Sequence, residues 1–213
     1  MDVEAKLNEG REHHRAGRYG DAARCYKAVL EGDPDNVDGL NLMSVLAQMA
    51  GDNLAAATLA LQAIQLQPDW YPPYVALGNA RQAAGQPGQA MDAFQKAVAL
   101  CPEAPEPYLN LANVLNHLGR HAEAAKMAVE AIVVDGSLPE AHNAFGNALA
   151  GMDSPEEAIE AYQKAVYLRP DWDAPWFNIG VALAAQGKHG EALASYRHAI
   201  GLLDGPDKRY NLA

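Results

Sequence analysis

The chain has 213 residues, 49% of them hydrophobic and 20% charged, with a formal net charge of −11. That acid surplus, with no dense basic face, excludes nucleic acid as a partner. Two cysteines, Cys25 and Cys101, lie far apart without CxxC or other ligand spacing, which excludes a disulfide framework or zinc ribbon and fits a reducing compartment.

Only three phenylalanines and long Ala/Leu/Gln/Glu stretches broken by Gly and Pro predict an all-α chain of short helices. The opening MDVEAKLNEG lacks the basic and apolar regions of a signal peptide, and no apolar run is long enough to cross a bilayer. A cytoplasmic location without membrane insertion is expected.

Pro34, Pro68, Pro102 and Pro170 fall on a 34-residue grid, with Gly136 in the one vacant slot. With that residue at position thirty-two, the chain 1–213 reads as a single array of units 3–36, 37–70, 71–104, 105–138, 139–172 and 173–206, followed by residues 207–213 as the truncated start of a further helix. Each unit is expected to be an antiparallel helix pair that cannot bury a core alone and must stack. Gly17, Gly51, Gly85, Gly119 and Gly187 share position fifteen, where a helix-ending residue with positive φ is wanted. Position twenty is alanine in every unit, and position eight is always small: Gly10, Ser44, Gly78, Ala112, Gly146 and Gly180. Position twenty-four carries Tyr26, Phe94, Tyr162 and Tyr196, rings expected to fill the space between neighbouring hairpins.

The first unit places Asn8, Arg11 and Arg15 on its first helix. Its His13 and His14 are adjacent, so their side chains diverge and cannot chelate one ion. The second unit departs most, with Ser44 at eight and Ala60 at twenty-four, and it holds Asn41. The third contributes Asn79. The fourth reads YLNLANVLNHLGRHAEAAK and carries Asn110, Asn113 and Asn116; its His117 and His121 straddle the Gly119 turn, so their four-residue spacing is not the helical spacing of a zinc site. The fifth holds Asn143 and Asn147, with Asp153 in place of the turn glycine. There DSPEEA reads as a capping box, with Ser154 as N-cap, Pro155 at the first helical position and Glu157 three residues after the cap; SLPE, with Ser137 and Glu140, reads the same way at the start of the unit. The sixth places Phe177 and Asn178 side by side.

This pattern resembles the tetratricopeptide repeat family, whose 34-residue helix–turn–helix has an aromatic at four, Leu-Gly at seven and eight, Ala at twenty and twenty-seven, an aromatic at twenty-four and Pro at thirty-two. WFNIGVALAAQGKHGEALASYRHAI, Trp176 to Ile200, keeps most of these features, and the resemblance runs from about Val3 to about Asp204. It implies a right-handed superhelical solenoid of six units plus the start of a seventh, with first helices lining a concave groove and second helices forming the convex back. YLNLANVL is also similar to repeats of the superhelical arm of O-GlcNAc transferase, where an asparagine ladder lines the groove.

If positions four, seven, eight and eleven are buried, then two, five, six, nine, twelve and thirteen face inward. Asparagine recurs there: Asn79, Asn113 and Asn147 at nine, Asn8, Asn110 and Asn178 at six, and Asn41 and Asn143 at five. Each amide offers a donor and an acceptor, as an extended peptide main chain requires, and Phe177, Leu109 and Val75 are expected to add apolar contacts. The other reading is that these amides are solvated or bond across to the next hairpin. Position two is acidic in Glu4, Asp38, Glu106 and Glu140. Arg11 and Arg15, with His14 beside them, either hold an acidic ligand end or form a solvated helix start. Chaperone-binding relatives spread a basic carboxylate clamp over three units, and no such clamp is present here.

No nucleophile, base and oxyanion set and no phosphate-binding motif is found, so neither catalysis nor a cofactor or metal site is expected. After Leu203 the chain reads DGPDKRYNLA, in which YNLA looks like the opening of another first helix. The edge formed by Tyr196, Ile200, Leu202 and Leu203 is therefore expected to be uncapped. Three readings stay open: a stand-alone adaptor for a protein or peptide, the substrate-recruiting arm of a glycosyltransferase-like enzyme, and a scaffold that assembles with itself through the terminal repeat.

Overall fold

Helix starts and stops repeat along this chain because the same few backbone devices recur at fixed positions. The computed structural model describes residues 2–203. The helices are α1 (Val3–Arg15), α2 (Tyr19–Gly32), α3 (Val37–Met49), α4 (Asn53–Leu66), α5 (Pro72–Ala83), α6 (Pro87–Leu100), α7 (Pro105–His117), α8 (His121–Val134), α9 (Pro139–Gly151), α10 (Pro155–Leu168), α11 (Asp173–Ala185) and α12 (His189–Leu203). No strand occurs among the described residues. The chain is an all-α helical-repeat solenoid of about six hairpins.

Every hairpin turns in the same way. The N–H at position sixteen donates to the carbonyl at position eleven, from Arg18 to His13 in the first turn through Lys188 to Leu183 in the last, at 2.9–3.0 Å. This is the six-to-one bond of a Schellman helix end, which requires the residue at position fifteen to be left-handed. Gly17, Gly51, Gly85, Gly119 and Gly187 have φ between 71° and 82°. Asp153 adopts φ 61° in the fifth turn, and Ser154 N–H still reaches the Leu149 carbonyl at 3.0 Å. An aspartate therefore takes on a conformation that costs other L-residues about 1–2 kcal/mol.

The capping boxes expected from DSPEEA and SLPE do not form. Ser154 does stand at the N-cap of α10 with Pro155 following, but its side chain caps nothing. The reciprocal bond from Glu157 needs the Ser154 N–H, which the Schellman turn already uses. At α9 the N-cap is Leu138, not Ser137. Ser137 instead donates its N–H and hydroxyl to Asp135 Oδ1, at 2.9 and 2.6 Å. That side-chain turn stands where the other linkers carry proline, and Asp135 keeps the φ/ψ of Asp33, Gln67 and Arg169 at the same position.

The helices of each hairpin pack along their length and come close together at position eight. The ring at position twenty-four lies over the glycine at position eight of its own hairpin and also packs towards the next one, as expected: Tyr26 clusters with Leu46, and Tyr162 with Ile179 and Leu183. A Cβ at Gly146 would lie 2.5 Å from Tyr162 Cε1, and one at Gly180 would lie 2.5 Å from Tyr196 Cε1; Gly10 and Gly78 face Tyr26 and Phe94 likewise. Where position eight carries a side chain, the ring is gone: Ser44 meets the Ala60 hairpin and Ala112 the Ala128 hairpin, all four residues fully buried. Ser44 Oγ donates to the Ala56 carbonyl at 2.8 Å, so its buried hydroxyl is satisfied. The invariant alanines at position twenty are 0–3% exposed.

The hairpins gather into two compact units that divide between Pro102 and Glu103. In the first, α3 packs on α5 and α4 on α5, besides the pairing within each hairpin. In the second, first helices again lie side by side, α7 on α9 and α9 on α11, with α8 and α10 inserted between successive hairpins.

Two outcomes follow from the turn and from the ring-on-glycine contact. Asp153→Gly relieves the left-handed strain and should raise stability by about 0.5–1 kcal/mol, seen as a higher urea midpoint. Gly146→Ala forces the Tyr162 ring off its seat and should lower stability by about 1–3 kcal/mol. Combined with Tyr162→Ala it should cost clearly less than the sum of the two single changes, since the clash needs the ring.

Candidate functional site

The side-by-side packing of first helices brings their positions five, six and nine together, and in the second unit it turns separate asparagines into a network. Asn178 on α11 donates through Nδ2 to Asn143 Oδ1 at 3.0 Å and to Asn147 Oδ1 at 3.2 Å, both on α9. Asn147 Oδ1 also accepts from the Tyr162 hydroxyl at 2.9 Å. Burial pushes the Tyr162 phenol up to about 12, so the hydroxyl stays protonated and donates throughout the physiological range. Among the described residues, the Nδ2 groups of Asn143 and Asn147 and the Oδ1 of Asn178 keep no protein partner. Beside them lies a hollow of about 200 Å³ lined by Tyr162, Asn178, Val181, Asp153 and alanines. Phe177, 54% exposed, sits on the same stretch of α11 with its ring 5.4 Å from that of Tyr196.

The other asparagines of this unit divide. Asn110 is half-buried and Asn113 exposed on α7, neither with a protein partner among the described residues. Asn116 bonds across to the next hairpin, donating to the Ala144 carbonyl at 3.0 Å, with His121 Nδ1 3.4 Å from its Oδ1. His117 ends α7 and His121 begins α8, on either side of the turn.

In the first unit the same positions are used differently. Arg11 is held from both sides, donating to Asn8 Oδ1 at 3.0 Å and to Asp38 Oδ1 at 3.0 Å, so its guanidinium ties the first hairpin to the second. Arg15 is exposed. Asn79 is half-buried, and Asn41 Oδ1 is buried without a partner. The contrast with Asn143 has a simple cause: Asn143 meets an asparagine at position six of the following helix, whereas Asn41 meets alanine there, Ala76. Of the apolar contacts expected on this face, Val75 is only 5% exposed and belongs to the core, and Leu109 packs on Ala112, Ala128 and Ala144; Phe177 is the one presented. The acids at position two are partly spent, since Glu140 pairs with Arg169 at 2.5 Å and Asp38 with Arg11.

Two features escape a linear reading. Tyr162 counts as a core ring by its repeat position, yet its hydroxyl anchors the asparagine network; the signal was the choice of Tyr over Phe opposite Asn147, which only the helix pairing makes meaningful. At the terminal hairpin, Ile200 is 55% exposed and Leu202 half-buried, while the side chain of Leu203 and residues 204–213 lie outside the described residues. Metal-ligating groups do come together, but on the first hairpin, where Glu9, His13 and Cys25 converge. No helix among the described residues is long and apolar enough to cross a membrane.

No curated protein sequence matches the chain. Solved structures do. PilW, a type IV pilus biogenesis factor, aligns with a TM-score of 0.85 at 17% identity, covering 99% of this chain and 98% of that one. A thermophilic TPR protein of Thermus thermophilus gives 0.70 at 19% identity over 90% and 99% of the two chains. YrrB, described as a TPR protein with an unusual peptide-binding site, gives 0.64 at 20% identity over 88% and 97%. Identities this low speak for the fold alone. The sequence profile described as tetratricopeptide repeat matches residues 7–69, 75–142 and 143–205. Repeats of this kind generally mediate protein–protein interaction, mostly in proteins that are not enzymes. Those three matches take in nearly all of the helical hairpins, and the chain belongs to the tetratricopeptide repeat family.

Proposed function

We propose that this protein is a non-catalytic scaffold that holds an extended segment of a protein partner against its first helices, centred on Asn143, Asn147 and Asn178. The observation that carries the reading is the unspent hydrogen-bonding capacity of that network beside a hollow and an exposed aromatic ring. The bonds among the three amides fix their rotamers before any ligand arrives, which lowers the ordering cost of binding. Two donors and one acceptor then remain for a main chain, the hollow takes a side chain, and Phe177 supplies apolar contact. Asn110 and Asn113 extend the same face along α7, while Asn8, Asn41, Asn79, Arg11 and Arg15 hold the corresponding positions in the first unit without such a network. There Arg11 acts structurally through Asp38, which leaves Arg15 as the basic group open to an acidic ligand end.

A displayed peptide library selected on the full chain tests this reading. Asn147→Ala and Asn178→Ala should each weaken the selected peptide roughly tenfold, the loss of one or two satisfied hydrogen bonds, with an unchanged helical circular dichroism spectrum. Affinities equal to the unaltered protein's in both variants would rule the asparagine face out.

A second reading, assembly through the terminal hairpin, is favoured by one observation: Phe177 and Ile200, both more than half exposed, flank Tyr196 on α11 and α12. It predicts a mass by light scattering that rises with concentration and returns to the monomer value in Ile200→Lys. A monomer at high concentration removes it.

A further inference from the structure

The first helix breaks the packing register of its own fold. Positions four, seven and eleven of the first helices are mostly apolar, as in Leu40, Met43 and Ala47 or Trp176, Ile179 and Leu183. In α1 they are Lys6, Glu9 and His13. A solvated outer face accounts for polar residues there, but not for what they surround. Cys25 on α2, 3% exposed, brings its thiol up to them, so that one ligand atom each from Glu9, His13 and Cys25 lies within 4.8 Å of the other two.

We infer that Glu9, His13 and Cys25 form a binding site for a zinc-class cation. A tetrahedral zinc with bonds of about 2.0–2.3 Å holds its ligand atoms about 3.3–3.8 Å apart. Glu9 Oε1 and His13 Nε2 are already 3.8 Å apart, as their i, i+4 spacing on one helix face dictates. Cys25 completes the set after a small side-chain rotation. The helix pairing that sets its position is rigid, because Gly10, next to Glu9, lets α2 approach until a Cβ would be 3.1 Å from Cys25 Cβ. The fourth position is left to water. A thiol, an imidazole and a carboxylate suit zinc or cobalt and not magnesium or calcium, which take oxygen ligands.

The surroundings fit. A cation already sits there, since the Lys6 ammonium is 2.7 Å from Glu9 Oε2 and faces the thiol as well. Asp21 Oδ2 is 4.0 Å from His13 Nδ1 and, after a shift of about 1 Å, would accept the proton of an imidazole bound through Nε2. Arg18 Nε donates to that Nδ1 at 2.9 Å and is 4.0 Å from the same Asp21 carboxylate. Metal entry releases the thiol proton to solvent, displaces Lys6 from Glu9, and moves the imidazole proton to Nδ1 so that Arg18 turns to Asp21. Bridging α1 and α2, the ion ties the first hairpin together.

Titration of the full chain with Co2+ should give one equivalent of binding with a thiolate-to-cobalt charge-transfer band in the near ultraviolet, bleached by Zn2+. Cys25→Ala should abolish the band, His13→Gln should weaken binding at least tenfold, and Cys101→Ala should leave both unchanged. Absence of the band at millimolar Co2+, its survival in Cys25→Ala, or full affinity in His13→Gln would overturn the assignment.

Discussion

The contact between a ring and a missing Cβ sets the distance between the two helices of a hairpin, and most of what the molecule presents depends on that distance. With glycine at position eight, the second helix comes close enough for Tyr162 to cover Gly146 and still extend its hydroxyl to Asn147. The same approach at Gly10 carries Cys25 to the edge where Glu9 and His13 stand. Where the ring is absent, the hairpin closes on two small residues, as at Ser44 with Ala60 and Ala112 with Ala128. Both solutions bury the crossing, as interior packing requires.

The backbone shows a second kind of equivalence, in which different residues deliver one geometry. Asp153 reproduces the left-handed turn of five glycines, held there by the Schellman bond to Leu149. Asp135 with Ser137 reproduces the linker that proline provides elsewhere, through a side-chain bond in place of a ring. Register survives at both places because the flanking helices have one position in which their apolar faces meet.

The asparagine face combines the two readings open to it. Asn178, Asn143 and Asn147 bond across hairpins, which serves packing, and their bonding leaves a defined remainder of donors and acceptor, which is what the proposed recognition of a main chain would use. A fully solvated amide would have to be ordered by its ligand, whereas these are ordered by each other. Asn116 shows the limiting case, in which a first-helix amide gives its donor to a neighbouring main chain.

The period, the hairpins, the left-handed turn at position fifteen and the small residues at eight and twenty were all legible in the amino-acid sequence, because each is a local or strictly periodic requirement that six copies repeat. Sequence also separated His117 from His121, since a turn lies between them. What it could not supply were meetings between residues of different helices, whose distance depends on how far two helices close. Partner choice within the asparagine rows, the commitment of Arg11 to Asp38, the burial of Val75 and the failure of the Ser154 and Ser137 caps were decided by tertiary structure. So was the gathering of Glu9, His13 and Cys25, whose ligand atoms converge only because Gly10 lets one helix rest against the other.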